Sequence, residues 1–211
     1  MTDRVTERMM ERMAEPAPDS LWVWRHPRAR GAQSRCIGRS DLAVDPRRAR
    51  RLAYRIRRTA QRHGLPRHVL TSPSRRCADV GRWLRRWGWR HERLACLLEM
   101  DFGDWDGLRW EDIPRASIDA WCEDFLRHRP GGAESLLELF ARTAAWPGAA
   151  GSVVVGHAGW MLARRWLGAP RQLPASAAQW PAPPRHGELW RLPAGALRLP
   201  RGDFAECGDG A

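Results

Sequence analysis

Two short runs of bulky, uncharged residues constrain this chain more than anything else in it: Leu21-Trp22-Val23-Trp24 and Val153-Val154-Val155-Gly156. Each reads as a buried strand, and each stops at a histidine, His26 after Arg25 in the first case and His157 in the second. In open α/β sheets the carboxyl ends of the strands are where ligands bind, because the loops there converge on one crevice. Pro27 biases His26 toward extended backbone, which carries the imidazole past the strand end. An arginine before a histidine has no weight alone, since six of the seven histidines follow one. His26 and His157 stand apart because only they end, or lie one residue beyond, a strand-like apolar run.

Strands alternate with helices along the rest of the chain. Asp45-Pro46 opens a helix to about His63 with Ala49, Leu52, Ala53, Ile56 and Ala60 as its apolar stripe, ended by Gly64 and Pro66. His68 to Thr71 is a short strand. Ser72-Pro73 has the form of a helix cap followed by a first-turn proline, with Cys77, Val80, Leu84 and Trp87 on one face of the helix. Leu94 to Leu98 reads as a third strand ending at Glu99, and the acid- and glycine-rich segment 99–107 as a loop folded over a site. Helical material follows at 110–113 and 117–128, then a helix from Ser135 to Trp146. Ser152 to Gly156 is a strand and His157-Ala158-Gly159 turns into a helix ending near Gly168. Pro170 to Pro184 is a proline-rich surface loop, and 188–192 with 196–199 can close a hairpin. The alternation implies a three-layer α/β/α sandwich around a mostly parallel sheet. Residues 1–20 read as a mobile extension, 21–200 as one domain and 201–211 as a tail.

Composition bounds the function. The net charge of +12 would ordinarily raise nucleic acid as a partner. All 36 basic residues are arginine, however, spread along the chain among abundant alanine, glycine, proline and tryptophan, as a compositional bias would produce. The five cysteines form no close pair, so neither a zinc site nor a disulfide framework is indicated, and a reducing cytoplasm is the expected location. No run reaches membrane-spanning length.

The strand ends thus carry Arg25-His26, Ser72 with Arg76, Glu99 and His157. Such a set suits phosphoryl transfer without metal or cofactor. An imidazole is a competent nucleophile near neutral pH, guanidiniums hold a phosphate through charge-assisted hydrogen bonds, and a carboxylic acid can protonate a leaving alkoxide. Arg76 in the first turn of its helix also sits where free N–H groups favour an anion.

Taken in order, Leu21-Trp22-Val23-Trp24-Arg25-His26, Ser72-Pro73-Ser74-Arg75-Arg76, Glu99 in EMDFGDWDG, Gly132-Ala133-Glu134-Ser135 and Val155-Gly156-His157-Ala158-Gly159 resemble the histidine phosphatase (phosphoglycerate mutase-like) superfamily over about residues 21–193. Arg25-His26-Pro27 with the later Cys36-Ile37-Gly38 and Asp41, and the DFGDWDG loop, are similar to the branch of α-ribazole phosphatases of cobalamin biosynthesis. The resemblance implies roles. His26 is the nucleophile, forming a phosphohistidine that water hydrolyses; Arg25, Arg76 and His157 surround the phosphate; Glu99 is the proton donor. Ser72, Glu134 and Arg142 orient these groups, although Arg142 reads equally well as a helix-surface charge. Arg28, Arg30 and Trp105 would line the substrate entrance. Pro27 replaces a common glycine, Asp106 a frequent glutamate and Leu162 a frequent arginine, while Ala133 interrupts Gly-Gly-Glu-Ser; these differences bear on substrate identity.

The expected substrate is therefore a small phosphate ester, α-ribazole phosphate or the corresponding cobamide phosphate, with other metabolite phosphates as the alternative. A mutase would need extra segments that shut water out, for which the chain has little room. An RNA-binding protein or inactive relative would cluster its arginines with exposed aromatics, whereas most tryptophans fall within the expected helices and strands. Oligomeric state is not legible.

Overall fold

In the computed structural model, residues 20–170 and 172–199 are described. The expected extension and tail lie outside them, save for Ser20. The LWVW run forms β1 (Ser20–Arg25), with Leu21, Val23 and Trp24 all buried. Such unbroken burial requires cover on both faces, and four further strands and two helix layers supply it. The strands are β2 (His68–Thr71), β3 (Arg90–Arg93), β4 (Val153–Gly156) and β5 (Leu189–Pro193), in the order β3-β2-β4-β1-β5. All neighbours run parallel except β5, which pairs antiparallel with β1 at one edge. The sheet is thus mostly parallel, as the alternation of strands and helices implies.

Alternate side chains divide the sheet into two cores. Trp22, Trp24, Val69, Val153 and Val155 meet the apolar stripes of α1 (Pro46–Arg62) and α2 (Arg75–Arg86). Leu21, Val23 and Val154 meet Trp160 and Met161 of α5 (Ala158–Leu167) on the other face. There α5 packs in turn against Leu139 and Phe140 of α4 (Leu136–Ala145). Asp45 caps α1 by accepting the Arg47 N–H, with Pro46 at the first helical position. Ser135 and Glu138 form a reciprocal capping box at the start of α4.

The strand register positions the chemistry. Arg25 lies opposite Gly156 across the parallel β1/β4 pair, and the His26 N–H donates to the Gly156 carbonyl at 3.0 Å. Both strands therefore release their histidines at the same level of the carboxyl edge.

Four local expectations shift. The third strand is the polar Arg90–Arg93, not Leu94–Leu98; an edge strand needs only its backbone to pair with β2, so apolarity is no guide there. Instead Ala95–Leu97 makes a 3-10 turn that buries Leu97 against Trp160 and its neighbours. Ser74, not Ser72, precedes the first turn of α2. The helix expected over 117–128 is α3 (Arg115–Glu123), which ends where Phe125 turns into the α4/α5 core. No second strand forms at 196–199; β5 pairs with β1 instead. The proline-rich stretch is a loop, as expected, and a packed one where it is described: Leu173 is buried and Trp180 stacks on Trp166 with ring centroids 5.8 Å apart.

Candidate active site

His26 and His157 face each other in a T-shaped arrangement, ring centroids 5.1 Å apart. Both are buried. His26 Nδ1 lies 2.7 Å from the Pro27 carbonyl oxygen, which can only accept, so Nδ1 bears the proton and Nε2 keeps its lone pair. Pro27, which has no N–H to offer an anion, thus contributes by fixing the tautomer of its neighbour.

Arg76 holds His157 and is itself held. Its Nε donates to His157 Nδ1 at 3.2 Å, while Nη1 and Nη2 donate to the Ser40 and Gly38 carbonyls at 2.6 and 2.5 Å. A guanidinium only donates, so a neutral His157 carries its proton on Nε2, which lies 3.5 Å from Cys77 Sγ. The 38–40 segment is fixed in turn by Asp106, whose carboxylate accepts the N–H groups of Gly38, Arg39 and Ser40. Arg25 donates from Nη1 to the Pro184 carbonyl at 2.6 Å, and its buried Nε has no hydrogen-bond partner among the described residues.

The Glu99 carboxylate lies at the start of α5, the helix that directly follows His157. It accepts from the Met100, Gly159 and Trp160 N–H groups at 3.0 to 3.2 Å, the last two belonging to the first turn of α5. A methyl group on Gly159 would stand 2.5 Å from Glu99 Oε1, so this approach requires glycine. The segment carrying Glu99 is pinned by Arg142, which donates to the Cys96 and Leu98 carbonyls, both at 2.9 Å, and forms a forked pair with Glu134. Arg142 is therefore not a free surface charge. Glu134 also accepts the Asp101 N–H at 2.9 Å. Ser72 is buried in the β2/α2 turn, where its Oγ accepts the Ser74 N–H at 3.3 Å.

Of the three residues expected at the entrance, Arg28 borders an open cavity. Arg30 points to Asp45, 3.7 Å away, and Trp105 is buried against Cys36 and Ile113, so its ring holds the loop together rather than lining an opening. Sequence reasoning missed His186, whose ring centroid lies 5.3 Å from that of His26 and whose Nδ1 donates to the His26 carbonyl at 3.2 Å. A signal existed: an antiparallel partner of β1 must begin beside the point where β1 ends, and His186 closely precedes that partner. Cys77 and Asp106 were recognised in the sequence without their roles toward His157 and the 38–40 loop. Among the described residues no three of His, Cys, Asp or Glu converge to hold a metal ion.

Electrostatically the site is hostile to imidazolium. Burial first, then Arg76, with Arg25 adding to it, depresses both His26 and His157 well below the usual histidine range. His91 and His186 are lowered to about 4, again chiefly by burial. A histidine whose folded pKa lies below its unfolded value of about 6.5 binds its proton first in the unfolded chain. Stability is then complete above that pH and declines as pH falls toward the folded value. The melting temperature should accordingly drop by several degrees between about pH 7 and pH 5, a range above most carboxylate titrations. A flat or rising melting temperature there would contradict the depressed imidazoles.

A family model describing the histidine phosphatase superfamily (branch 1) matches residues 21–181. Mycobacterial glucosyl-3-phosphoglycerate phosphatase superposes with a TM-score of 0.64 at 25% identity, covering 86% of this chain and 96% of that one. The α-ribazole phosphatase from Shigella flexneri gives 0.61 at 19% identity over 89% and 99%, and a protein from Thermus thermophilus 0.62 at 19% over 85% and 99%, which speaks for the fold. None of the curated proteins compared matches the sequence. The chain belongs to the histidine phosphatase superfamily and is a phosphoric monoester hydrolase of it.

Proposed function

We propose that the protein is a metal-independent phosphomonoesterase working through a phosphohistidine, with α-ribazole phosphate or the corresponding cobamide phosphate as its first candidate substrate. The observation that carries this reading is the buried His26–His157 pair with Arg76 bonded to one of its rings. His26 Nε2 attacks phosphorus as the bond from phosphorus to the leaving oxygen breaks, and Glu99 passes a proton to that alkoxide. Water then attacks the phosphohistidine, Glu99 takes its proton, and inorganic phosphate leaves. Arg25, Arg76 and His157 hold the equatorial oxygens and stabilise their growing charge. The partnerless Nε of Arg25 supports this, because a buried donor without an acceptor awaits one. Ser72, Glu134 and Arg142 keep the surrounding segments in place.

Other metabolite phosphates form the second reading, favoured by the arginines that border the cavity next to His186. Two measurements separate the possibilities. Hydrolysis of p-nitrophenyl phosphate should proceed undiminished with chelator present, and acid-labile phosphate should be captured on the protein during turnover. Competition of α-ribazole phosphate against a panel of sugar phosphates then ranks the substrates; turnover that stops with chelator would reject the mechanism.

A further inference from the structure

Beside the nucleophile lies a cavity of about 230 Å³ that the phosphate chemistry described above does not use. One wall is α1, where Arg48, Arg51 and Arg55 fall at spacings of three and four residues and so share a face, with buried Leu52 between them. Pro27 and Arg28, directly after His26, with His186 and Gly187, complete the lining. Four arginines thus border one concavity. None of the four has a carboxylate partner among the described residues, although Asp45 and Glu188 are close in sequence to this region. Asp45 is engaged by the α1 amides and Arg30, and Glu188 by the Arg185 N–H and the Trp190 indole.

His186 joins this cavity to the reaction centre. It donates to the His26 carbonyl, its ring lies beside the His26 ring, and Arg25, Arg28 and Arg48 are among the charges that add to its depression by burial. Gly187 adopts φ +76°, a backbone conformation that favours glycine, and sets this turn beside Arg55 Nη1. Like charges gathered in a concave site repel one another, and an anion is the ligand that relieves this.

We infer that the cavity is a subsite for a second anionic group, so that the natural substrate carries a phosphate or carboxylate in addition to the phosphomonoester that is cleaved. This rests on the phosphatase reading and changes its order of substrates: α-ribazole phosphate, whose one anionic group is the phosphate cleaved, falls behind phosphate esters that carry a second anion. A substrate bearing only its 5′-phosphate leaves the four arginines without a counter-charge.

The test separates the two ideas by using an inactive protein. Binding of ribose 5-phosphate, 5-phosphoribonate and ribose 1,5-bisphosphate to the His26→Ala variant is measured by calorimetry; the three ligands differ in whether the far end carries a hydroxyl, a carboxylate or a phosphate. At least one doubly anionic ligand should bind about tenfold tighter than ribose 5-phosphate, as expected for new charge-assisted hydrogen bonds. Which one does so tells carboxylate from phosphate. Adding Arg51→Ala and Arg55→Ala should remove the preference, whereas Arg58→Ala, on the same helix but outside the cavity, should keep it. Equal affinity for all three ligands, no binding of any, a preference that survives the double replacement, or one lost equally with Arg58→Ala would each overturn the subsite. Wild-type turnover of p-nitrophenyl phosphate tests the phosphatase reading independently.

Discussion

Replacing His26 by alanine should lower turnover of p-nitrophenyl phosphate by about 10⁴-fold or more, the size of loss seen when a covalent nucleophile is removed. The reasoning is geometric. The Pro27 carbonyl occupies Nδ1, leaving Nε2 as the attacking atom, and burial together with Arg76 keeps the ring uncharged near neutral pH. His157 cannot substitute, because Arg76 donates to its Nδ1 and its Nε2 therefore carries the proton, which makes it a donor and not a nucleophile. The captured phosphate on the protein should vanish along with turnover. Retention of even a tenth of the activity by a folded His26→Ala protein would mean that a different group attacks phosphorus.

Arg76→Lys should cost about 10²- to 10³-fold in kcat/KM although the charge is conserved. Arg76 is 1% exposed and donates in three directions, to Gly38, to Ser40 and to His157. A lysine ammonium is a single point and cannot reach all three acceptors, so at least one buried carbonyl or the imidazole loses its partner. The melting temperature should fall as well, and kcat should suffer along with KM. A variant within tenfold of wild type would show that positive charge alone, and not the guanidinium fork, is required there.

The parts of this site that were legible in the sequence are those written in side-chain character. β1 and β4 are apolar without interruption because both faces are covered, so their ends, and with them His26 and His157, could be located. Arg76 and Glu99 followed from the same logic, even though the strand before Glu99 was misplaced toward the apolar Leu94–Leu98; the actual edge strand is polar and held by its backbone. What could not be read is whatever depends on partners distant in sequence. His186 looked like five other Arg-His pairs until β5 was seen to run antiparallel to β1. Arg142 was as consistent with a helix-surface charge as with a supporting role until the loop before Glu99 came to rest upon it. Trp105, in an acidic, glycine-rich loop, suggested an entrance and proved to be that loop's own small core.

More than half of the chain separates the two histidines, yet one register between two parallel strands sets their spacing. Local segments of an unfinished chain therefore do not bring the two histidines together, since the pair forms only once strands distant in sequence have joined. Regain of turnover after dilution from denaturant should therefore follow the docking of β4 between β1 and β2.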